Sequence, residues 1–145
     1  MLRSDGVHIA TVTWRDGERE LADIRRRVFI DEQQVPEDLE WDGLDAGALH
    51  VIAHAGDTAV ACGRLLDDGH IGRMAVVAGW RGRGIGRRVL DALMDAARDR
   101  GDTEVFLHAQ TSAIGFYEKA GFLAEGPEFM DAGIPHRTMR RALRP

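Results

Sequence analysis

The run Arg81-Gly82-Arg83-Gly84-Ile85-Gly86-Arg87 stands directly before a helical pattern, in which Ile85, Val89, Leu93 and Ala96 or Ala97 recur up to Arg100 and Gly101 is a natural stop. Glycines at 82, 84 and 86 let the backbone turn tightly and leave amides open to a bulky anion that a Cβ would hold off. A helix start presents unpaired N–H groups and a partial positive charge, so the ligand this geometry suits best is a phosphate or pyrophosphate. Arg81, Arg83, Arg87 and Arg88 add forked donors around it. Upstream, His70-Ile71-Gly72-Arg73-Met74-Ala75-Val76-Val77 reads as a strand, giving a unit of strand, glycine loop and helix.

Spacing separates the phosphate-binding loops that compete for this unit. A nucleotide-hydrolysing P-loop needs Gly-Lys followed by Ser or Thr, a step absent from the chain. The dinucleotide fingerprint needs Gly-x-Gly-x-x-Gly, whereas Gly82, Gly84 and Gly86 follow Gly-x-Gly-x-Gly.

At 145 residues the chain suits one well-filled core, so residues 1–145 are expected to form one domain. No apolar run reaches the roughly 20 residues of a membrane span. The first residues lack the apolar core of a signal peptide, which makes a cytoplasmic location the expectation. A net charge of -5 argues against general nucleic-acid binding, leaving the loop arginines as a local patch on an acidic protein. Cys62, the only cysteine, lies in an apolar run and reads as core.

Taken in order, Val7 to Trp14 reads as a strand and Glu18 to Gln33 as an amphipathic helix carrying Leu21, Ile24 and Val28. A second short helix or turn is placed over Glu37 to Leu44. From Asp31 to Asp45 there are seven acidic residues and no basic one, readable either as a solvated rim or as a field attracting a cationic amine. Leu49 to Ala55 and Thr58 to Leu66 read as strands joined at Gly56-Asp57. His50 and His54 fall on the first of these, where positions four apart are about 13 Å distant, so they are rejected as a metal pair. Thr103 to His108 is a short apolar strand, and Ser112 is a candidate cap for a helix through Ala120. Phe122 to Ala124 and Arg137 to Leu143 are weaker strand candidates linked by Gly126-Pro127 and Gly133-Ile134-Pro135. This alternation predicts a mixed α/β sheet.

Arg81, Gly84 and Gly86 match the Arg/Gln-x-x-Gly-x-Gly/Ala loop of the GNAT acetyltransferase superfamily. A second tract, Gln110-x-x-Ala113-x-x-Phe116-Tyr117-x-x-Ala120-Gly121-Phe122, resembles that superfamily's Asn-x-x-Ala-x-x-Phe-Tyr-x-x-x-Gly-Phe at about the right distance. The resemblance covers essentially the whole chain. Phe29 to Pro36, His108-Ala109-Gln110 and Asp131-Ala132-Gly133-Ile134-Pro135-His136 look more narrowly like the ElaA/YjcF-like branch.

The resemblance implies a single-domain, mainly antiparallel sheet flanked by helices, with a splayed central strand pair, and acetyl-CoA as co-substrate without a metal. Met74, Ala75 and Val76 would face the acetyl and pantetheine parts, and the pyrophosphate would sit on amides from Gly82 through Arg83, Gly84, Ile85 and Gly86 to Arg87, beside Arg81. Gln110 stands where relatives carry Asn, and Tyr117 matches the tyrosine that returns a proton to the leaving thiolate. Some relatives carry an acidic base where this chain has Val105, which leaves the proton acceptor open among His108, His136 and Glu32. The implied activity is N-acetylation of a primary amine, on a small molecule or a peptide. An acyl-CoA-binding sensor without turnover is the alternative. Edge strands of such sheets often pair, so a homodimer is compatible with the resemblance.

Overall fold

Thr13 ends the first strand and begins the first helix: its Oγ1 accepts a hydrogen bond from Asp16 N at 3.1 Å, satisfying an amide that the helix leaves unpaired. In the computed structural model, which describes residues 6–143, β1 spans Val7–Val12 and α1 spans Trp14–Arg25. Trp14, read above as the strand's end, is therefore the helix's first residue. A π-helical turn, Arg26–Glu32, continues α1, with Gln33 N bonded to Val28 O at 3.0 Å. Gln34, at φ 61°, then turns the chain toward α2 (Glu37–Glu40).

The remaining elements are β2 (Leu49–Ala55), β3 (Thr58–Leu65), β4 (Ile71–Val76), α3 (Ile85–Asp99), β5 (Glu104–Gln110), α4 (Ile114–Lys119), β6 (Leu123–Asp131) and β7 (Ile134–Ala142). β1-β2-β3-β4 form one antiparallel sheet and β5-β7-β6 a second. A parallel bridge between His70 and Phe106 joins them, with Phe106 N donating to Gly69 O at 3.1 Å. Past that bridge β4 and β5 part, producing the splayed central pair.

Helices cover both faces of the first sheet. Leu21, Ile24 and Val28 pack with Ile52, Cys62 and Ala75 on one side. On the other, the buried face of α3 (Ile85, Val89, Leu90, Leu93, Met94 and Ala97) meets Val51, Ala61, Leu65 and, from the second sheet, Leu107 and Met139. Burial on both faces explains why β2 and β3 read as continuous apolar runs. At Gly63 a Cβ would come within 2.6 Å of Leu93 Cδ1, so the missing side chain lets α3 lie close to β3.

The C-terminal strands are longer than their sequence suggests. Gly126-Pro127, read as a linker, lies inside β6, where the pairing with β7 shifts register between Glu125 and Phe129. A bulge leaves proline with no ladder bond to make. Ala132 (φ 53°) and Gly133 (φ 77°) form the two-residue hairpin turn, with both residues left-handed as that turn requires. Ser112 does not cap α4; a 3-10 turn, Thr111–Ala113, leads into that helix without a side-chain cap.

Candidate active site

The glycine loop adopts the conformation its composition demands. Gly82 and Gly84 both have φ 77°, Gly84 is the N-cap of α3, and a Cβ built on either meets nothing within 4 Å. The space above the loop is open, and the first amides of a fifteen-residue helix face it. The arginines are distributed differently. Arg81 makes a bidentate pair with Glu32, both bonds 2.7 Å, and its Nε donates to Val76 O at 2.8 Å. Arg83 stacks on Trp80, 4.5 Å from the ring centroid, and Arg87 pairs with Asp91 at 3.0 Å. Arg88, counted above with the loop, instead donates to Val7 O at 2.8 Å.

One turn before the loop, β4 carries a bulge. Cys62 pairs with Ala75 and Arg64 with Gly72, so β4 places both Arg73 and Met74 where β3 has only Gly63. Arg73 takes the left-handed conformation (φ 51°) that a non-glycine residue rarely adopts. The bulge and the splay together open a cavity of about 630 Å³ between β4 and β5. Met74, Ala75, Val76, Arg81 and Gly86 line it toward the loop; His70, Arg73, His108, Asp131 and His136 also line it.

Tyr117 and Gln110 both reach this cavity. Tyr117 Oη donates to Met74 Sδ at 3.8 Å, and burial pushes its ionisation up to about 12, so it remains a phenol at neutral pH. Gln110 Nε2 donates to Gln33 Oε1 at 2.9 Å, tying the end of β5 to the segment after the π-helical turn.

Strand register explains how the other groups meet. Gln110 pairs with His136, His136 with Phe129, and Ile134 with Asp131, so these residues share the sheet face toward the cavity. His136 Nδ1 lies 2.6 Å from Ile134 O. A carbonyl only accepts, so that nitrogen carries the proton and Nε2 is the acceptor of the neutral ring. His108 packs between His70 (ring centroids 4.8 Å apart, planes tilted by 55°) and Phe129 (5.2 Å, edge to face), and partial burial lowers its pKa. His70 is pushed down to about 4, by burial first and then by His108. Glu32 stands at the loop, not among the cavity's lining groups, and Arg81 holds its carboxyl below the usual carboxylate range.

The acidic stretch from Asp31 to Asp45 is largely neutralised. Arg25 pairs with Glu40 (2.8 Å) and Asp45 (2.6 Å), Arg64 with Asp42 (2.8 Å) and Asp45 (3.1 Å), and Arg73 with Glu40 (3.1 Å) and Asp42 (3.2 Å). Burial opposes the ionisation of Asp42, but bonds from Arg64 and the Leu44 amide outweigh it and hold the group down at about 2. Glu32 and Glu37 are taken by Arg81 and Arg26. Neither a solvated rim nor an attracting field describes the core of this segment. It is the carboxylate half of a buried ion network whose arginines come from α1, β3 and β4.

The pattern did not mark Arg73, His70 or Asp131 as cavity groups. A bulge has no local signature in the sequence of β4, and Asp131, next to the Ala132-Gly133 turn, carries no local sign that the register of β6 on β7 turns it toward a cavity. Cys62 touches the cavity, but burial pushes its thiol up to about 12, so it has no nucleophilic form at neutral pH. His50 bonds Asp45 O and His54 bonds Glu20, so the two histidines point to separate partners.

The Acetyltransferase (GNAT) domain family matches residues 14–143, and the chain belongs to that family. It is 38% identical to the uncharacterized N-acetyltransferase YjcF of Bacillus subtilis over 122 residues, which is 81% of this chain and 87% of that protein. An acyl-CoA N-acyltransferase from Pseudomonas aeruginosa superposes with a TM-score of 0.84 at 31% identity, over 94% of this chain and 99% of the other. Escherichia coli ElaA superposes with a TM-score of 0.83 at 26% identity, over 93% and 99% of the two chains. Members of this family use an acyl-CoA as co-substrate, and the open, amide-lined loop of this chain suits its diphosphate. Among the described residues no helix is long and apolar enough to cross a membrane.

Proposed function

We propose that the protein transfers an acetyl group from acetyl-CoA directly to a primary amine. One observation carries this reading: a single cavity connects the glycine loop to Tyr117 and to a wall of imidazoles, so a donor and an acceptor can meet within it. The diphosphate would rest on main-chain amides from Gly82 to Arg87, and the pantetheine arm would follow Met74, Ala75 and Val76 to bring sulfur beside the phenol.

The neutral amine attacks the thioester carbon, its oxygen gathers charge, and main-chain donors at the β4 bulge lower the barrier. The C–S bond then breaks. Sulfur receives a proton through the Tyr117 hydroxyl, which regains one from solvent, while the proton lost by nitrogen passes to an imidazole and then to water. His136 suits that role because its proton is fixed at Nδ1 and Nε2 is left as a base. His108 is the alternative, and Glu32, already gripped by Arg81, serves the loop.

Substituting Tyr117→Phe tests the assignment. Turnover with acetyl-CoA and an amine is expected to fall by about 10²-fold or more, the scale of general acid catalysis, with coenzyme A affinity unchanged within about twofold. Equal turnover would remove Tyr117 from the chemistry. Tight coenzyme A binding by the unaltered protein with no thiol released across an amine panel would instead mark a sensor.

A further inference from the structure

Among the described residues, five charged side chains line the cavity: Glu40, Asp42, Arg73, Arg81 and Asp131. Four are compensated. Arg81 is closed by Glu32, while Glu40, Asp42 and Arg73 belong to the network in which three guanidiniums face three carboxylates. Arg73 Nη2 also donates to Leu39 O (3.3 Å) and Glu40 O (3.0 Å), while its Nε is buried without a hydrogen bond although Glu40 Oε2 lies 3.1 Å away. Asp131 is the exception. It lies at the hairpin turn between β6 and β7, and no arginine or lysine among the described residues forms an ion pair with it. Its carboxylate does act on His108, whose charged form it favours.

Two of the imidazoles do not cancel it: burial lowers the pKa of His70 and of His108, so these two rings are predominantly neutral at neutral pH and set no positive charge against Asp131. Among the described residues the lining cations are Arg73 and Arg81, and each already faces a carboxylate of this chain, so neither charge is left over for a carboxylate on the acceptor. Val35, Leu39, Ala132 and Ile134 supply apolar surface nearby. Because about 630 Å³ must also hold the acyl group and the end of the pantetheine arm, the space left for the acceptor is small.

We infer that the acceptor is a compact ammonium compound with an apolar body and no carboxylate beside its amine, seated against Asp131. The inference rests on the acetyl-transfer reading and names the class of acceptor. Asp131 binds the ammonium form; one N–H proton leaves to the imidazole of His136 or to water, and the nitrogen lone pair then attacks the thioester carbon. Asp131 itself gains and loses nothing in the step.

The test compares the protein with its Asp131→Asn variant, a change at an exposed hairpin residue. 2-Phenylethylamine, 2-phenylethanol and phenylalanine are titrated against the ring resonances of His108 and His136. Coenzyme A binding is measured separately, and amine-dependent thiol release from acetyl-CoA supplies KM and kcat. The unaltered protein is expected to bind the amine above the alcohol and the amino acid. In the variant, amine Kd and KM are expected to rise about tenfold to a hundredfold, the scale of a charge-assisted hydrogen bond, while alcohol binding, kcat and coenzyme A affinity hold within about twofold. Equal amine affinity in the two proteins, or preference for phenylalanine, overturns the inference. Loss of coenzyme A binding with the amine preference intact would overturn the donor reading and leave the seat standing.

Discussion

Arg25 is almost wholly buried, yet its guanidinium stays charged because Asp45 and Glu40 offset the cost that burial imposes. It also lies against Trp14 and Trp41, 5.6 and 5.0 Å from their ring centroids, so its stem and head are both held. Such a group adds little net stability while intact, and removing it leaves three carboxylates, Glu40, Asp42 and Asp45, facing only the guanidiniums of Arg64 and Arg73. Arg25→Met is expected to lower unfolding free energy by about 3–5 kcal/mol, read as a lower urea midpoint with an unchanged slope. An unaltered midpoint would mean that the carboxylates relax to solvent. The acids from Asp31 to Asp45 were visible in the sequence, but their partners, 11 to 49 positions distant, were not. Charge density is a local property, whereas charge compensation depends on which strands and helices meet. Tyr117 and the loop glycines were legible for the opposite reason: they lie in short motifs whose spacing itself carries the chemistry.

At the level of elements, the glycine loop and α3 were read almost to the residue, because the helical repeat of buried positions and Gly84's place before Ile85 are both local signals. Gly84→Ala forces a side chain into the left-handed region, which costs about 1–2 kcal/mol. It is expected to lower thermal stability accordingly and to weaken coenzyme A binding by about tenfold, with calorimetry reading both; unchanged affinity would place the diphosphate elsewhere. Other elements escaped. Thr13 starts α1 four residues early because a threonine cap satisfies Asp16 N, and alternation through residue 14 concealed that start. β6 and β7 looked weak because Gly126 and Pro127 normally end strands, whereas here a register shift accommodates them. The β4 bulge, which helps open the cavity, depends on how β4 pairs with β3 and has no counterpart in composition.

On the scale of the molecule, the two sheets meet at His70 and Phe106 and then separate, and everything assigned to function lies along that opening. The alternation of strands and helices disclosed a mixed sheet, and the motifs disclosed the family. The opening itself follows from tertiary pairing: Gly69, at φ 91° with its missing Cβ 2.9 Å from Glu104 O, lets the chain approach β5 once before β4 leaves it. The central claim is that this gap holds an acyl-CoA with its diphosphate at the start of α3 and its sulfur beside Tyr117. A crystal structure of the protein with coenzyme A tests it most directly. The account predicts diphosphate oxygens within hydrogen-bond reach of main-chain nitrogens from Gly82 to Arg87 and the thiol beside the Tyr117 hydroxyl; a coenzyme bound outside the gap between β4 and β5, or a thiol remote from Tyr117, would contradict it.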